Sequence, residues 1–215
     1  MHKMTNVPNY QELRELVPEL KYVLWDMDGT IMETEKFHIN STLEILKELS
    51  PESKLTLKEI ERFCIGTTDH KILSQIQETG ALLKISPHDF IEKKNIVIEN
   101  YLKEIKNKEI FNPKVGTLIQ TLNESGIRQS VVTSSERSVT KTLLAHLKLT
   151  EFFSFIITRE DTKLNKPDPE PYLLAMKRFE TTADKCLIFE DSQSGLTAAR
   201  KSRAKYINAA WYTLP

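Results

Sequence analysis

Glycine and cysteine are both scarce in this chain of 215 residues. The six glycines make up about 3% of the residues, against roughly 7% in an average protein, so each is expected to mark a turn or a close approach of the backbone. The two cysteines, Cys64 and Cys186, lie far apart and lack companions at zinc-ligand spacing. We therefore expect two reduced core residues rather than a disulfide or a zinc site.

The chain also lacks a net charge and long apolar runs. Its 30 basic residues equal its 30 acidic residues, so it has no excess positive charge with which to bind nucleic acid. No stretch approaches the ~20 apolar residues of a membrane-spanning helix, and residues 1–20 lack the apolar segment of a secretory signal. These absences predict a cytoplasmic protein that binds neither nucleic acid nor a membrane.

Short apolar segments alternate with helical patterns along most of the chain. The segments rich in β-branched or aromatic residues, each predicted to be a strand, are 22–25, 130–133, 153–158, 186–189 and 205–211. Helical patterns lie between the later segments, near 135–147, 170–180 and 194–202. This alternation is typical of βαβ units, so we predict an α/β fold with a Rossmann-like, doubly wound parallel sheet.

One interval is too long for a simple crossover between strands. About a dozen residues suffice for a crossover, yet the first predicted strand ends near residue 26 and the next begins near residue 129. Within the interval, four helical patterns carry Ile and Leu on one face, near 36–49, 56–63, 68–79 and 87–106. We predict an all-helical cap domain at 34–108, inserted into an α/β core formed by 1–33 and 109–215.

Carboxylates follow two of the predicted strands. Asp26, Asp28 and Gly29 come directly after the first strand, and Glu190 and Asp191 close a later one. Because the carboxyl ends of parallel strands meet at one edge of a sheet, these side chains are expected to converge. Converging carboxylates repel one another unless a cation neutralises them, and an oxygen-only ligand set favours Mg²⁺. We predict that the four carboxylate residues bind Mg²⁺. Gly29 is expected to permit a sharp turn that brings both aspartates to one point, and to contact the phosphorylated substrate.

Two further loops offer groups that bind a phosphate. Thr133, Ser134 and Ser135 supply hydroxyls, with the amides of a helix N-terminus behind them. Lys166 precedes Pro167, which favours an extended loop that presents a positive charge. We predict that all four polar residues contact a phosphoryl group, and for the two serines a role as helix caps stays open.

The four segments WDMDGT, SVVTSS, NKPDP and FEDSQSG, in this order, resemble the four motifs of the haloacid dehalogenase superfamily of phosphotransferases. The resemblance extends from Lys21 onward. The helical insertion directly after the first motif is similar to the first type of cap domain in that family, in the branch of phosphatases and β-phosphoglucomutase-like enzymes.

This resemblance implies a two-step phosphoryl transfer. Asp26 is expected to attack phosphorus and form an aspartyl-phosphate, and Asp28 to act as general acid and then general base. Thr133 and Lys166 complete the expected catalytic set by binding the transferring oxygens. The carboxylate of Asp26, the backbone carbonyl of Asp28 and the acidic pair of the fourth motif are the expected Mg²⁺ ligands.

The branch of the family follows from two residues. Asp28 argues against dehalogenation, because dehalogenases replace that acid. The mutases carry an arginine in a cap loop where this chain has Asp69, and a carboxylate there would repel the second phosphate of a bisphosphate, although Lys71, Lys93 or Lys94 could substitute. We therefore expect a phosphoric monoester hydrolase acting on a small phosphorylated metabolite, such as a sugar phosphate or phosphoglycolate. A sugar-phosphate mutase and a non-catalytic protein that binds a phosphometabolite or a protein partner are the alternatives.

Three residues of the predicted cap are candidate substrate contacts. His38 ends the segment IMETEKFH, which is similar to the family's hinge, and Gly66 and Thr67 lie where the family's specificity loop reaches the site. A structural hinge contact explains His38 equally well, and a helix cap explains Thr67 equally well.

We expect the protein to be a monomer, with a dimer left open.

Overall fold

The computed structural model describes residues 2–64, 68–82, 84–104 and 110–212. The chain divides into two compact units, one formed by Met1–Glu33 with Asn107–Pro215 and the other by Thr34–Lys106. The predicted boundary at residues 108 and 109 falls within 105–109, outside the described residues.

The first unit is built on a parallel sheet. Its strands are β1 (His2–Met4), β2 (Tyr22–Trp25), β3 (Arg128–Val132), β4 (Phe155–Ile157), β5 (Cys186–Glu190) and β6 (Lys205–Ala209). They lie in the order β1-β6-β5-β2-β3-β4, and every neighbouring pair is parallel. Every residue of β5 is buried, which explains why its first four residues, CLIF, form a continuous apolar run rather than an alternating one.

One strand of the sheet was not predicted. β1 pairs with β6 in a register that places His2 opposite Ile207, so it forms the edge of the sheet beyond the last predicted strand. Its three residues, HKM, lack the β-branched and aromatic side chains that mark the other strands. Pairing with β6, rather than the intrinsic preference of these residues, accounts for β1.

The described α-helices of the first unit alternate with its strands along the chain. They are α1 (Tyr10–Leu16), α6 (Pro113–Glu124), α7 (Arg137–His146), α8 (Glu170–Arg178) and α9 (Gln193–Ser202). Ser192 is the N-cap of α9, and its hydroxyl oxygen accepts from the amide of Gly195 at 3.0 Å. Such a cap begins the helix immediately after β5 and so fixes the position of the residues between strand and helix.

The second unit is helical throughout its described residues. It contains α2 (Glu35–Leu49), α3 (Leu57–Cys64), α4 (Asp69–Glu78) and α5 (Pro87–Glu104), close to the four predicted helices. Its core contains Ile45, Ile60, Phe63, Ile76 and Phe90, which are the apolar positions of the helical patterns. Among the described parts of both units, no helix combines the length and apolar character needed to cross a membrane.

Candidate active site

A tight turn at the end of β2 brings Asp26 and Asp28 to the same edge of the sheet. The carbonyl of Met27 accepts hydrogen bonds from the amides of residues 30–32 at 2.9–3.3 Å. Gly29 has a φ of 80°, and a Cβ added there would lie 2.3 Å from Oδ2 of Asp191. Only glycine satisfies both the backbone conformation and this close approach, so the glycine holds the two acidic motifs together.

Lys166 is buried at the centre of the site and uses all three of its N–H bonds. Its Nζ donates to Oδ1 of Asp26 at 2.6 Å, to Oε2 of Glu190 at 2.7 Å and to the carbonyl of Val132 at 2.9 Å. Burial by itself would lower the pKa of Lys166, but the carboxylates of Asp26 and Glu190 outweigh burial and raise that pKa well above its usual value. The ammonium therefore stays charged and fixed in orientation beside the predicted nucleophile.

Glu190 anchors this lysine. Its Oε2 also accepts from the hydroxyl of Tyr172 at 2.6 Å, and its Oε1 accepts from the amide and hydroxyl of Ser192 and from the amide of Asp191 at 3.0–3.1 Å. These donors fill the acceptor capacity of a carboxylate, which has about four lone-pair sites. A cation that also took Glu190 as a ligand would have to replace at least one of them.

Tyr172 is a residue of the site that was not predicted. It is fully buried on α8, and its ring also lies 5.0 Å from Nζ of Lys166. Burial and the neighbouring Glu190 raise the pKa of Tyr172 well above its usual value, so its hydroxyl remains a donor. Its sequence signal is a hydroxyl-bearing aromatic on the helix after the third motif, which is indistinguishable from an ordinary core residue without the fold.

Two hydroxyls orient Asp28. Ser135 Oγ donates to Oδ2 of Asp28 at 2.6 Å, and Thr133 Oγ1 donates to the same oxygen at 3.2 Å. The amide of Ser135 donates to Thr133 Oγ1 at 3.0 Å, which fixes the two hydroxyls relative to each other. The N-cap of α7 is Glu136, so Ser135 contacts Asp28 and does not cap that helix. Ser134, which lies between Thr133 and Ser135 in the sequence, is half-buried.

The acidic residues of the site form a cluster that fits a divalent cation. Ligand oxygens of Asp26, Glu190 and Asp191 lie within 4.8 Å of one another. Burial, followed by repulsion from Glu190, raises the pKa of Asp191 to about 7 and raises that of Asp26 well above its usual value, although Lys166 opposes both shifts. Buried carboxylates that resist ionisation together, with oxygen donors alone, match the chemistry of a Mg²⁺ site.

His38, Asp69 and Lys94 form a polar cluster inside the second unit. Lys94, which is 1% exposed, donates to Oδ1 of Asp69, and its Nζ lies 3.4 Å from Nδ1 of His38. Burial alone would raise the pKa of Asp69, but Lys94 and His38 hold that pKa below its usual value. The carboxylate of Asp69 is therefore neutralised by a cation, and the expectation that it repels a phosphate lacks its physical basis.

Other residues of the second unit that were considered as phosphate or substrate contacts lie on its surface or outside the described residues. Lys93 pairs with Glu48 at 2.5 Å on the surface, and Lys71 is exposed in the first turn of α4. Gly66 and Thr67, the candidate substrate contacts of the specificity loop, lie outside the described residues. Their predicted contacts with substrate stay predictions.

Comparison with known proteins identifies the family. The family described as haloacid dehalogenase-like hydrolase matches residues 23–209. A phosphorylated carbohydrates phosphatase of Thermotoga maritima is 26% identical over 198 residues, which are 91% of this chain and 87% of that protein. Fructose-1-phosphate phosphatase YqaB of Escherichia coli is also 26% identical, over 83% of this chain and 90% of its own length.

Solved structures agree on the fold. The crystal structure of CbbY from Rhodobacter sphaeroides in complex with phosphate aligns with a TM-score of 0.79 and 22% identity, over 87% of this chain and 85% of that one. A putative β-phosphoglucomutase from Thermotoga maritima aligns with a TM-score of 0.69 and 25% identity, over 87% and 84%. The predicted α/β fold, the family resemblance and the class of phosphoric monoester hydrolase are confirmed. The chain belongs to the haloacid dehalogenase-like hydrolase family.

Proposed function

We propose that this chain hydrolyses the phosphoric monoester of a small phosphorylated metabolite, such as a sugar phosphate, through an aspartyl-phosphate on Asp26. The observation that carries the proposal is the position of the buried Lys166 ammonium, 2.6 Å from Asp26 and at the same sheet edge as Asp28. The relatives named as phosphatases of phosphorylated carbohydrates and of fructose 1-phosphate support a sugar phosphate as the substrate class.

The first step joins phosphorus to the enzyme. A carboxylate oxygen of Asp26 attacks phosphorus while the bond between phosphorus and the ester oxygen breaks. Asp28 donates a proton to the departing oxygen, which leaves as a neutral alcohol. The Lys166 ammonium, 2.6 Å from Asp26 Oδ1, would stabilise the negative charge on the transferring oxygens through its own charge, since its three N–H bonds already have acceptors. The hydroxyl of Thr133 donates to Asp28 and orients it for the proton transfer.

The second step regenerates the enzyme. A water molecule attacks phosphorus of the aspartyl-phosphate, and Asp28, now a carboxylate, accepts a proton from that water. The bond between phosphorus and Asp26 breaks, inorganic phosphate is released and the Asp26 carboxylate is restored. The hydroxyls of Ser135 and Thr133 keep Asp28 in one orientation for both proton transfers.

Magnesium is the proposed cofactor. The carboxylates of Asp26 and Asp191 and the backbone carbonyl of Asp28 would hold it, and Glu190 completes the set if one of its donors is displaced. When bound, Mg²⁺ supplies positive charge that stabilises the transferring phosphoryl oxygens.

Residues 34–108 remain the predicted cap domain, the part of the chain expected to select the substrate.

A sugar-phosphate mutase is the second candidate. It is favoured by the alignment with a putative β-phosphoglucomutase and by the pairing of Asp69 with Lys94, since that pair removes the expected repulsion of a second phosphate. A mutase would move the phosphoryl group between two hydroxyls of one sugar, whereas a phosphatase releases it to water.

One experiment separates these functions. The wild type is incubated with hexose 1-phosphates, fructose 1-phosphate and p-nitrophenyl phosphate, with MgCl₂ or with EDTA, and both free phosphate and sugar-phosphate isomers are quantified. We expect Mg²⁺-dependent release of phosphate, a loss of roughly 10³-fold or more in Asp26→Asn, and no loss in Asp184→Asn, which removes an exposed carboxylate. Isomers without free phosphate would indicate the mutase, and wild-type rates in Asp26→Asn would refute the proposed nucleophile.

A further inference from the structure

Two aromatic side chains near the end of the described chain hold the loop that carries Asp28. Trp211 Nε1 donates to the carbonyl of Thr30 at 2.8 Å, and the Tyr212 hydroxyl donates to the carbonyl of Ile31 at 2.7 Å. Thr30 and Ile31 are fully buried and belong to the turn that follows Asp26. The two aromatic residues thus contact the backbone of this loop from 181 residues away in sequence.

The Tyr212 hydroxyl also joins the two segments that connect the first unit to residues 34–106. It accepts from the amide of Asn112 at 2.8 Å, while it donates to Ile31. Beside this contact, the amide of Glu33 donates to the carbonyl of Ile110 at 2.8 Å. Burial raises the pKa of Tyr212 to about 12, so the hydroxyl keeps its proton and both hydrogen bonds at neutral pH.

The position of Trp211 is set by the sheet. Its ring packs on Phe189 with centroids 5.7 Å apart, and Phe189 stacks on Trp25 at 4.2 Å. Trp25 is the last residue of β2, directly before Asp26, and Phe189 directly precedes Glu190. Two successive ring contacts therefore connect β2 and β5, the strands that precede Asp26 and carry Glu190, to Trp211, which donates to Thr30.

We propose that Trp211 and Tyr212 are positioning residues for Asp28: they fix the backbone of residues 27–32 so that the Asp28 carboxyl meets the leaving oxygen. The proposal rests on the proposed phosphatase function. Neither aromatic side chain contacts the reacting atoms in this scheme, and each acts through a backbone carbonyl of the loop.

The test uses the full chain and two conservative variants. Tyr212→Phe and Trp211→Phe keep an aromatic ring and remove the donor, and Tyr101→Phe is the control, because its hydroxyl donates to the exposed Glu44. The value of kcat/KM, which covers the steps up to aspartyl-phosphate formation, is measured with MgCl₂ for a sugar phosphate and for p-nitrophenyl phosphate. Nitrophenolate leaves without a proton, so only the sugar ester depends strongly on Asp28.

We expect kcat/KM for the sugar phosphate to fall roughly 10- to 100-fold in both variants and that for p-nitrophenyl phosphate to fall less than about threefold. Tyr101→Phe should change neither value. Equal losses for the two esters would indicate a general structural role and overturn the proposal, as would retention of wild-type activity on the sugar ester.

A second measurement does not depend on activity. Amide hydrogen exchange in residues 27–33 of the metal-free protein should be faster in both variants than in the wild type and unchanged in Tyr101→Phe. If the wild type hydrolyses neither ester, the proposed function fails, and the exchange rates still decide whether the two aromatic residues hold the loop. Unchanged exchange in both variants would overturn the proposal in that case.

Discussion

Gly195 offers a substitution for which two physical effects predict opposite signs. It lies in the first turn of α9, where alanine is more favourable than glycine by up to about 1 kcal/mol. A Cβ at this position would, however, lie 1.8 Å from Oε2 and 1.9 Å from Cδ of Glu190, where non-bonded carbon contacts need about 3.5 Å. Glu190 is held by five hydrogen bonds, so it cannot move aside without breaking some of them.

The steric effect should dominate. Overpacking of a buried site costs about 1–3 kcal/mol, and complete loss of a partner from a buried ion pair costs about 3–5 kcal/mol. Because Gly195→Ala displaces Glu190 from Lys166 without removing its charge, and gains some helix propensity, we expect the free energy of unfolding to fall by about 2–4 kcal/mol. Displacement of the anchor of Lys166 should also lower kcat/KM for phosphate release by roughly 10²-fold.

Urea unfolding followed by circular dichroism measures the first effect, and phosphate release measures the second. Thr197→Ala is the matched control on the same helix, since it removes only a hydroxyl that donates to the Gln193 carbonyl, and its stability should stay within about 0.5 kcal/mol of wild type. If Gly195→Ala is as stable and as active as the wild type, the close approach of α9 to the Glu190 carboxylate does not constrain the site.

Two further predictions concern individual carboxylates. Ser135→Ala removes the 2.6 Å hydrogen bond to Asp28 and should lower kcat/KM for a sugar phosphate roughly tenfold, whereas the exposed Ser138→Ala should not; equal rates in both would contradict the contact. Although burial alone would raise the pKa of Asp69, its pairing with Lys94 holds that pKa below about 3.9, the value in the unfolded chain. The ion pair therefore contributes its full stabilisation above about pH 4, and this stabilisation is lost as the pH falls further. In urea unfolding at pH 7, the free energy of unfolding of Asp69→Asn should therefore be about 3 kcal/mol lower than that of the wild type, and this difference should shrink at pH 3. An equal difference at both pH values would contradict this.

The convergence of much of the candidate site could be predicted from sequence because its carboxylates lie directly after short apolar strands and its lysine lies in the loop that follows another strand. Asp26, Asp28, Lys166 and Asp191 stand in loops between such strands and helices, and the carboxyl ends of parallel strands meet at one edge. The strand pattern is local, since a strand buried on both faces needs a continuous run of apolar residues. The fold class followed from the same pattern.

Contacts between side chains far apart in the sequence could not be predicted in this way. Tyr172 has the appearance of a core residue until α8 packs against β3 and α9 and brings its hydroxyl to Glu190. Asp69 and Lys94 lie 25 residues apart on different helices. An unpaired Asp69 would repel a phosphate, whereas pairing with Lys94 removes that repulsion, and the sequence does not show whether they pair. Both cases depend on how helices pack, which periodicity does not specify.

Local sequence patterns indicate which groups are available for chemistry and near which strand ends they lie, because turn residues and apolar runs act over a few neighbouring residues. The tertiary structure decided which of those groups are held, and by what. The lysine and tyrosine donors on Glu190, the hydroxyls on Asp28 and the aromatic contacts of Trp211 and Tyr212 arise only when segments 18 to 181 residues apart pack together. Such contacts depend on buried geometry at the scale of a single hydrogen bond, and no local pattern of residues encodes it.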